Sequence, residues 1–503
     1  MVLLDGSSFT LEALGRVARD GEALGLADSA RSRVRAARAL VDHHAAGDVA
    51  VYGINTGFGS LAEVKIPHEQ LALLQLNLLR SHAAGVGEAL PVPVVRALMA
   101  LRANVLAKGY SGIREATLEA LIALANAGLH PRVPSRGSVG ASGDLAPLAH
   151  LALVVVGEGQ LLGGETTSVT EQLAARGLSP VTLAAKEGLA LINGTQASTA
   201  VLGLAVLDAM RLAHAADIAC AMSVDALRGS IHPFEARIHD ARPVPGQGAS
   251  AANLTALLTG SAINGSHLNC GKVQDAYALR CAPQVHGSAR EAIAFAHRLA
   301  EIEANSATDN PMVFAETGDI VSGGNFHGAP IALAADTLTI GMAQLATISE
   351  RRTDRMMTTH ESGLPPFLIR DSGLQSGLMM AHVTAAALTA EIKTLSNPAA
   401  VDTIPTSAGR EDHVSMSMGA ALKAARVVEL ARQVISIELL AAAQALDLLA
   451  PLATSPALAG AHAAIRAHVP MLTTDRPPAP DIDAIASLVE DGVLARACRI
   501  TFR

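Results

Sequence analysis

The chain has 503 residues, of which 50% are hydrophobic and 17% are charged, and its formal net charge is −8. Intrinsic disorder is excluded, because disordered chains lack this capacity to bury apolar surface. Aromatic residues make up only 2% of the chain, so binding of nucleic acid through base stacking in a basic groove is not expected. Small aliphatic residues suit closely packed helices better than strands. The composition therefore predicts a large, soluble, helical protein.

The N-terminal sequence MVLLDGSSFT has neither the basic start nor the unbroken apolar stretch of a signal peptide. A membrane span is not expected either, because no run of about 18 uncharged apolar residues is present. The cysteines Cys220, Cys270, Cys281 and Cys498 show no C-x-x-C spacing, which argues against a zinc site and against a disulfide framework. These features predict a cytoplasmic protein that binds no metal ion.

Turn-forming residues gather in a few clusters, and long helical stretches lie between them. Glycine, proline and asparagine in these clusters favour turns. The clusters span residues 53–60, 131–147, 321–330 and 397–412. Strands are expected to be short and confined to the first 60 residues and the region around 312–322. No internal repeat and no low-complexity linker is evident.

About five long helices are predicted from nearly continuous apolar patterns. They span residues near 197–227, 284–305, 330–357, 373–396 and 418–450. The last has a single narrow polar stripe formed by Lys423, Arg426, Glu429, Gln433 and Ser436. Such helices imply a bundle. Because several of them are apolar nearly all round, we infer a homo-oligomer whose subunits share a helical core.

The most distinctive motif is GSVGASGDLAPLAH at residues 137–150. One interpretation is a glycine-rich turn that caps the next helix, with Asp144 as the N-cap residue. A phosphate-binding loop is disfavoured, because the motif has neither the P-loop nor the dinucleotide-binding spacing. A nucleophile elbow is disfavoured too, because Ser142 does not sit in a G-x-S-x-G sequence.

A third interpretation uses the backbone of Ala141, Ser142 and Gly143. The tripeptide is small enough for the Gly143 nitrogen to attack the Ala141 carbonyl, and glycine tolerates the strained backbone that this closure needs. Dehydration of Ser142 would then leave an alkene conjugated to the ring carbonyl, which is a strong electrophile. Ordinary side chains supply nucleophiles, acids and bases, so an electrophile of this kind has to be made from the chain.

With further motifs in the same order and spacing, this sequence resembles the aromatic amino acid ammonia-lyases, most closely the members that act on histidine. The resemblance extends from about Val51 to Met416. It implies that Ala141, Ser142 and Gly143 form the prosthetic group 4-methylidene-imidazol-5-one (MIO), with no external cofactor. It also implies a mainly α fold of the fumarase/aspartase-like superfamily and a homotetramer whose active sites are shared between subunits.

Three domains are expected on this basis. Residues 1–200 would form an N-terminal domain that carries the MIO loop, and residues 201–450 a central bundle of long helices. Residues 451–503 would form a C-terminal helical segment.

Tyr52 lies in the glycine-rich sequence VYGINTGFG at residues 51–59. Taken alone, it is equally a tyrosine beside a turn. The chain has only three tyrosines, however, and the neighbouring glycines would leave this one accessible. The resemblance makes Tyr52 the general base for the β-proton, which requires the ordinary phenol pKa of about 10 to be lowered by a positive charge or hydrogen bonds.

Gln274, Tyr277 and Arg280 are three residues apart, so on a helix they share one face. A solvated polar stripe is the alternative interpretation. The resemblance assigns Arg280 to the substrate carboxylate, which a guanidinium binds through two parallel hydrogen bonds. It places Gln274 and Tyr277 against the MIO and the substrate amine.

Asn193, in the sequence LINGTQ, and Phe326, in GGNFH, also match family positions. The resemblance implies that Asn193 hydrogen-bonds the prosthetic ring and the substrate carboxylate, and that Phe326 packs against the MIO. For an isolated asparagine or phenylalanine, a turn or a core position is the usual role, so both assignments depend on the resemblance.

Two positions are implicated in substrate specificity. His82, in the sequence SHAAG, and Glu411, in GREDHVSM, have the form found in the histidine-specific members. A carboxylate facing an imidazole N–H makes a charge-assisted contact that a phenyl ring cannot return. One departure from the family pattern is Arg410, whose charge would pair with Glu411 and weaken its contact with imidazole.

The resemblance therefore implies elimination of ammonia from L-histidine to give trans-urocanate, with Tyr52 or Glu411 as the base for the β-proton. A phenylalanine or tyrosine ammonia-lyase, or an aminomutase, is the alternative within the family. Outside it, the alternatives are a non-catalytic helical scaffold and a fumarase-type lyase. The latter would need a mobile glycine-serine-methionine-lysine loop, which the sequence does not contain.

Overall fold

The computed structural model describes every residue except 58, 60–62, 165, 268–270 and 272. Phe58 and Cys270 are therefore outside the described residues. The described chain is mainly α-helical, and the predicted fold class is confirmed. Cys220, Cys281 and Cys498 are free thiols.

The helices of the described residues follow in chain order. They are α1 (Leu11–Gly15), α2 (Asp28–Ala46), α3 (Leu71–His82), α4 (Val92–Ala107), α5 (Glu115–Asn126), α6 (Leu145–Val155), α7 (Val169–Ala174), α8 (Glu187–Ile192), α9 (Gln196–Ala226), α10 (Ala236–Asp240), α11 (Pro245–Leu258), α12 (Ala262–Gly265), α13 (Tyr277–Arg280), α14 (Ala282–Ala304), α15 (Ala329–Met357), α16 (Thr359–Ser362), α17 (Met379–Leu395), α18 (Ser417–Leu448), α19 (Pro456–Arg466), α20 (Ala479–Glu490) and α21 (Val493–Ala497).

The strands of the described residues form three two-stranded sheets. They are β1 (Val2–Leu4), β2 (Leu24–Leu26), β3 (Val86–Ala89), β4 (Pro134–Arg136), β5 (Met312–Phe314) and β6 (Asp319–Val321). The β1–β2 pair is parallel, whereas β3–β4 and β5–β6 are antiparallel. The expectation that strands are confined to the first 60 residues and to 312–322 is wrong for β3 and β4. Their sequences, VGEA and PSR, carry no alternation of apolar and polar residues that would reveal them.

Four of the five predicted long helices, α9, α14, α15 and α18, are confirmed with ends within two residues of the predicted positions. The fifth was predicted from residue 373, but α17 begins at Met379. The cause is Gly377, whose φ is +60° and where a Cβ would lie 2.4 Å from the Phe367 carbonyl oxygen. Glycine accepts this conformation readily and a helix does not contain it.

The chain divides into two compact units. Unit 1 contains residues 1–207, 296–336 and 398–422, and unit 2 contains residues 208–295, 337–397 and 423–503. Four of the five unit boundaries fall within the long helices α9, α14, α15 and α18, and the fifth, between residues 397 and 398, follows α17.

In unit 1, three helices place the residues on which the site depends. Helices α3, α6 and α8 all pack against one another. Helix α3 ends at His82, α6 begins two residues after Gly143, and α8 ends immediately before Asn193. The sheet of β3 and β4 then joins the chain after His82 to the chain before the glycine-rich turn. Residues far apart in sequence are thus held together at one end of three packed helices.

Helix α4 supports this arrangement from within the core of unit 1. Every residue from Ala97 to Ala107 is buried, including the polar Arg102 and Asn104. Asn104 accepts a hydrogen bond from the Gly6 amide (3.0 Å) and donates to the Ala304 carbonyl (2.9 Å). Buried polar groups need such partners, because an unpaired one costs roughly 1–3 kcal/mol.

Unit 2 contains a buried network of charged residues. Arg352 and Glu438 are fully buried and form an ion pair at 2.5 Å, and Glu438 also accepts from the Ser223 hydroxyl. Asp217 is paired with Arg290 at 2.6 Å and contacts His286 at 2.8 Å. Arginine holds the pKa of Asp217 well below its usual range, although burial opposes this effect.

Two described helices, α9 and α15, are long and apolar enough to cross a membrane by length and hydropathy alone. In their most apolar windows, 72% and 67% of the residues are buried inside the protein. Such burial is typical of a core helix, for which high hydropathy is expected.

Candidate active site

The Ala-Ser-Gly turn is shaped by close contact with a second glycine. Gly143 has a φ of +72°, and a Cβ at this position would lie 2.2 Å from the carbonyl oxygen of Gly194. The next residue, Asp144, donates its backbone N–H to the same oxygen at 2.7 Å. Glycine is required at position 143 because the φ is positive and because no space is left for a Cβ.

Asp144 occupies the N-cap position of α6, but its side chain makes no capping hydrogen bond. Its carboxylate accepts instead from the Ser138 hydroxyl (2.8 Å) and from the Ser198 amide (2.7 Å) and hydroxyl (2.8 Å). The interpretation of Asp144 as the helix cap is therefore wrong for its side chain. Burial raises the pKa of Asp144 despite these donors. The carboxylate ties the turn to the first residues of α9.

Asn193 contacts the centre of the turn. Its Nδ2 donates to the carbonyl oxygen of Ser142 at 3.1 Å, and the residue is buried. The Ser142 carbonyl is the one that a cyclised tripeptide would carry in conjugation with its alkene. A donor at this oxygen withdraws electron density from the alkene carbon and makes that carbon more electrophilic. Among the described residues, the Asn193 Oδ1 atom is buried without a hydrogen-bond partner.

The Ser142 hydroxyl contacts a carboxylate that is 269 residues away in sequence. It donates to Glu411 Oε1 at 2.6 Å, while the Thr406 hydroxyl donates to Glu411 Oε2 at 2.6 Å. Thr406 and Glu411 also pair through their backbones, so they close a short hairpin. Arg410, in the same hairpin, is exposed. The structure thus places Glu411 next to Ser142, and it adds Thr406, which sequence reasoning missed.

Tyr52 is half-buried on the turn before α3. The adjacent Gly53 has a φ of +77° and packs so closely on Leu189 of α8 that a Cβ would lie 2.9 Å from that side chain. The Tyr52 hydroxyl accepts a hydrogen bond from the Gly59 amide at 3.4 Å. Gly59 in turn faces Ser407, to whose hydroxyl a Cβ would come within 3.4 Å. The loop of Tyr52 therefore lies near the hairpin that carries Glu411.

His82 ends α3, and its Nδ1 lies 2.9 Å from the Leu78 carbonyl oxygen. Since a carbonyl only accepts hydrogen bonds, Nδ1 carries the proton and Nε2 of the neutral ring is left as an acceptor. Burial lowers the pKa of His82, although Leu78 and the charge of Glu411 oppose this effect. His82 is therefore neutral near pH 7 and presents an acceptor nitrogen.

Phe326 is half-buried and lies two residues before Gly328, which contacts the turn. The Gly328 amide donates to the Gly140 carbonyl at 3.1 Å. The His327 ring stacks on that of His413 with 5.7 Å between their centroids. The segment around Phe326 is thus fixed against the turn that bears Ser142.

In unit 2, Gln274, Tyr277 and Arg280 form a cluster of their own. Arg280 donates to Gln274 Oε1 at 3.0 Å, and its guanidinium lies 4.6 Å from the centroid of the Tyr277 ring. Only residues 277–280 are helical, so the expected helix over all three is wrong at Gln274. The three side chains are nevertheless brought together, and Tyr277 is 70% exposed.

The residues of the turn fit the prosthetic group that the sequence predicted. Gly143 has the positive φ and lacks a side chain, and Asn193 donates to the Ser142 carbonyl oxygen. Buried polar residues that the sequence did not reveal contact the segment around Asn193, among them Arg102 and Glu303. The signal that could have found Arg102 is a charge in the otherwise apolar sequence MALRANVLA.

Ser142 thus precedes a glycine, accepts a hydrogen bond from Asn193 at its carbonyl oxygen and donates one from its hydroxyl to Glu411. Residues 9–467 match the aromatic amino acid lyase family. The chain therefore belongs to that family and is a lyase.

Relatives support this assignment over nearly the whole length. The chain is 56% identical to histidine ammonia-lyase of Anaeromyxobacter sp. (strain K), over 98% of this chain and 99% of the relative. It is 54% identical to histidine ammonia-lyase of Myxococcus xanthus (strain DK1622), over 99% and 98%.

Solved structures agree in fold. The structure of histidine ammonia-lyase from Trypanosoma cruzi is 44% identical, with a TM-score of 0.92 over 99% of this chain and 95% of that chain. A tyrosine aminomutase from Streptomyces globisporus is 38% identical, with a TM-score of 0.95 over the full length of both chains.

Glu303 is a buried carboxyl beneath the loop that follows Asn193. It is 8% exposed and accepts a hydrogen bond from the Thr195 hydroxyl at 2.6 Å. Burial raises the pKa of Glu303 to about 7, and the charge of Asp144 adds to this effect, whereas Thr195 opposes it. A carboxyl with a raised pKa contributes most to stability at low pH and loses that contribution as the pH rises from about 4.5 through about 7.

We therefore expect Glu303→Gln to gain stability relative to the wild type as the pH rises from 5.5 to 8.5. The gain over this range should be about 2 kcal/mol, because the variant has no buried carboxyl that ionises. Thermal unfolding of both proteins across this range measures it. Glu316→Gln, at an exposed turn, is the control and should show no such trend. A difference between Glu303→Gln and the wild type that does not change with pH would contradict the prediction.

Proposed function

We propose that this chain eliminates ammonia from L-histidine to give trans-urocanate. The observation that carries the proposal is the turn at Ser142, whose carbonyl accepts from Asn193 and whose hydroxyl donates to Glu411. The names of the relatives at 51–56% identity support histidine as the substrate.

The prosthetic group is part of this proposal. MIO formed from Ala141, Ser142 and Gly143 would supply an electrophilic carbon for the substrate amine, and the reaction would need no external cofactor. Cyclisation joins the Gly143 nitrogen to the Ala141 carbonyl carbon and releases one water. Loss of the Ser142 hydroxyl and Cα hydrogen releases a second.

The chain's own residues have defined tasks in the reaction. Tyr52 or Glu411 takes the β-proton of the substrate, the Cα–N bond breaks, and a double bond forms as ammonia leaves. Tyr52 accepts a hydrogen bond from Gly59, which lies near Ser407 in the hairpin of Glu411, and both candidate bases belong to unit 1.

Substrate binding is divided between carboxylate and ring. We assign the carboxylate to Arg280 and Asn193, and we place Gln274 and Tyr277 beside the amine and Phe326 beside the prosthetic group. His82 Nε2 or a carboxylate oxygen of Glu411 can accept from the one N–H of a neutral substrate imidazole, whereas an imidazolium offers an N–H to each. A phenyl ring has no N–H, so Glu411 Oε1 would lack a donor while Oε2 keeps Thr406, and this disfavours phenylalanine.

The proposal extends to a cytoplasmic homotetramer with shared active sites. In α17 only Ala381, Ala385 and Ile392 are buried, whereas Met380 and Val383 are 59% and 48% exposed. An apolar helix face of this kind is usually covered by another chain. The exposed cluster around Tyr277 would then present Arg280 to the active site of another copy.

Ser142→Ala should reduce kcat for L-histidine by on the order of 10³-fold or more, because no alkene can form at residue 142. The assay follows urocanate, cinnamate and coumarate from the three aromatic substrates by absorbance. We expect turnover of histidine by the wild type and none of phenylalanine or tyrosine.

Three results would contradict the proposal. Unchanged turnover in Ser142→Ala would exclude an electrophile made from the turn. A preference for phenylalanine or tyrosine, or an isomerised amino acid as product, would favour the alternatives within the family. No turnover of any of the three substrates by a correctly folded wild type would favour a non-catalytic scaffold.

For assembly, we expect Met380→Glu to lower the mass of the particle in solution below that of a tetramer and to lower activity with it. The reason is that a buried carboxylate without a partner opposes burial of the helix face. Light scattering after size exclusion measures the mass. Leu3→Glu, at an exposed position of β1, is the control. A tetramer that survives Met380→Glu, or a monomeric active wild type, would contradict the assignment.

A further inference from the structure

Arg102 is a fully buried arginine in the middle of α4, and the reaction described above does not use it. Burial of a guanidinium costs several kcal/mol unless partners compensate for the lost water. Burial lowers the pKa of Arg102 to about 10, with Asp309 opposing this effect. The side chain therefore keeps its charge near pH 7.

The partners of Arg102 are not carboxylates. Its Nη1 donates to the Asn193 carbonyl oxygen at 2.8 Å and to Gln196 Oε1 at 2.6 Å, and its Nη2 donates to the Ala190 carbonyl oxygen. Asp309, the anion that acts on it, is itself paired with Lys186 at 3.2 Å. Among the described residues, the Nε of Arg102 is buried without a partner. Because one N–H of this buried charge is left unpaired, the hydrogen bonds of Arg102 do not fully compensate for the cost of burying it.

All three acceptors lie at the end of α8 or immediately after it, around Asn193. The guanidinium approaches this segment so closely that a Cβ on Gly194 would lie 2.5 Å from Nη1. Gln196, held by Arg102, also donates to the Thr308 hydroxyl at 2.7 Å. Residues 193–196 are thus fixed from the side that faces the core.

The opposite side of the same segment contacts the Ala-Ser-Gly turn. Asn193 donates to the Ser142 carbonyl oxygen, and the Gly194 carbonyl oxygen accepts from Asp144. Only one residue therefore lies between Arg102 and the carbonyl on which the electrophile depends.

We propose that Arg102 is a positioning residue, which acts through Asn193 to hold the carboxamide donor on the Ser142 carbonyl. The inference rests on the proposed function, because it concerns the same electrophile. Five N–H donors in one rigid plane suit this task, since they reach several carbonyl oxygens at once, which a lysine ammonium does less well.

A purely structural role would be to satisfy the last carbonyls of α8. Arg38 provides a matched comparison for that role. It is also buried in unit 1 and donates to two main-chain carbonyls, those of Gly112 (3.1 Å) and Ala185 (2.9 Å). Its contacts with main-chain carbonyls are similar in kind to those of Arg102, but it also pairs with Asp42, and none of its contacts involves Asn193.

The experiment compares Arg102→Gln and Arg102→Lys with Arg38→Gln and Arg38→Lys in the full-length protein. Intact mass gives the fraction of chains that have lost two waters, and kcat for L-histidine is divided by that fraction. We expect Arg102→Gln to lower this normalised kcat by about 10- to 100-fold, because small misplacement of a catalytic group has effects of this size. KM should change by less than about threefold, and Arg102→Lys should restore part of kcat. The Arg38 variants should lower Tm without lowering normalised kcat.

A double-mutant cycle with Asn193→Ala tests the route of the effect. Because Arg102 acts through Asn193, the double variant should have about the same normalised kcat and converted fraction as Asn193→Ala alone. Effects that multiply would overturn the inference, as would Arg102 variants that behave like the matched Arg38 variants. If Arg102→Gln does not fold, the comparison of Arg102→Lys with Arg38→Lys decides. A wild type that has lost no water would overturn the proposed function and this inference together, whereas failure of the cycle alone leaves the proposed function intact.

Discussion

The contact between Gly143 and Gly194 is the constraint on which the rest of the site depends. A Cβ on Gly143 would lie 2.2 Å from the Gly194 carbonyl oxygen, and a Cβ on Gly194 would meet Arg102. Two chain segments can approach so closely only where both lack side chains. The approach lets Asn193 reach the Ser142 carbonyl and lets Asp144 bond to Gly194. Without it, the serine would be part of an ordinary turn before a helix.

This approach is maintained by polar groups in the core of unit 1. Arg102, Asp144 and Glu303 are all buried. Burial lowers the pKa of Arg102 and raises the pKa of Asp144 and of Glu303, so in each case it favours the neutral form. Apolar residues would be expected there in a protein selected for stability alone. Buried polar groups do, however, fix a single geometry when their partners are in place. We infer that these buried polar residues lower the stability of the fold but hold the segment that contacts Ser142 in one geometry.

The sequence predicted the long helices well, because their apolar patterns extend over many turns. It failed for β3 and β4, whose short sequences contain glycine, glutamate and proline and pair only because the packing of α3 and α6 brings them together. It also placed the start of α17 too early, since Gly377 has a left-handed φ and lies too close to the Phe367 carbonyl to carry a Cβ. Local patterns carry no information about such contacts.

The site was predicted unevenly for the same reason. Ser142, Asn193 and Glu411 were found through motifs, and the structure brings them into contact. Arg102 and Thr406 were missed, because a lone arginine or threonine has no motif. The contact of Arg102 with Asn193 joins residues 91 positions apart. The roles assigned to Ser142, Asn193 and Glu411 in the reaction remain predictions, as do those of Tyr52, His82, Phe326 and the cluster around Arg280.

We propose that the geometry of residues 141–144 and 193–194 leads the chain to cyclise and dehydrate. The intact mass of the purified wild-type chain tests it most directly, because the two steps each release one water. We predict a mass lower than that of the unmodified sequence by two waters. A mass equal to that of the unmodified sequence would contradict the account.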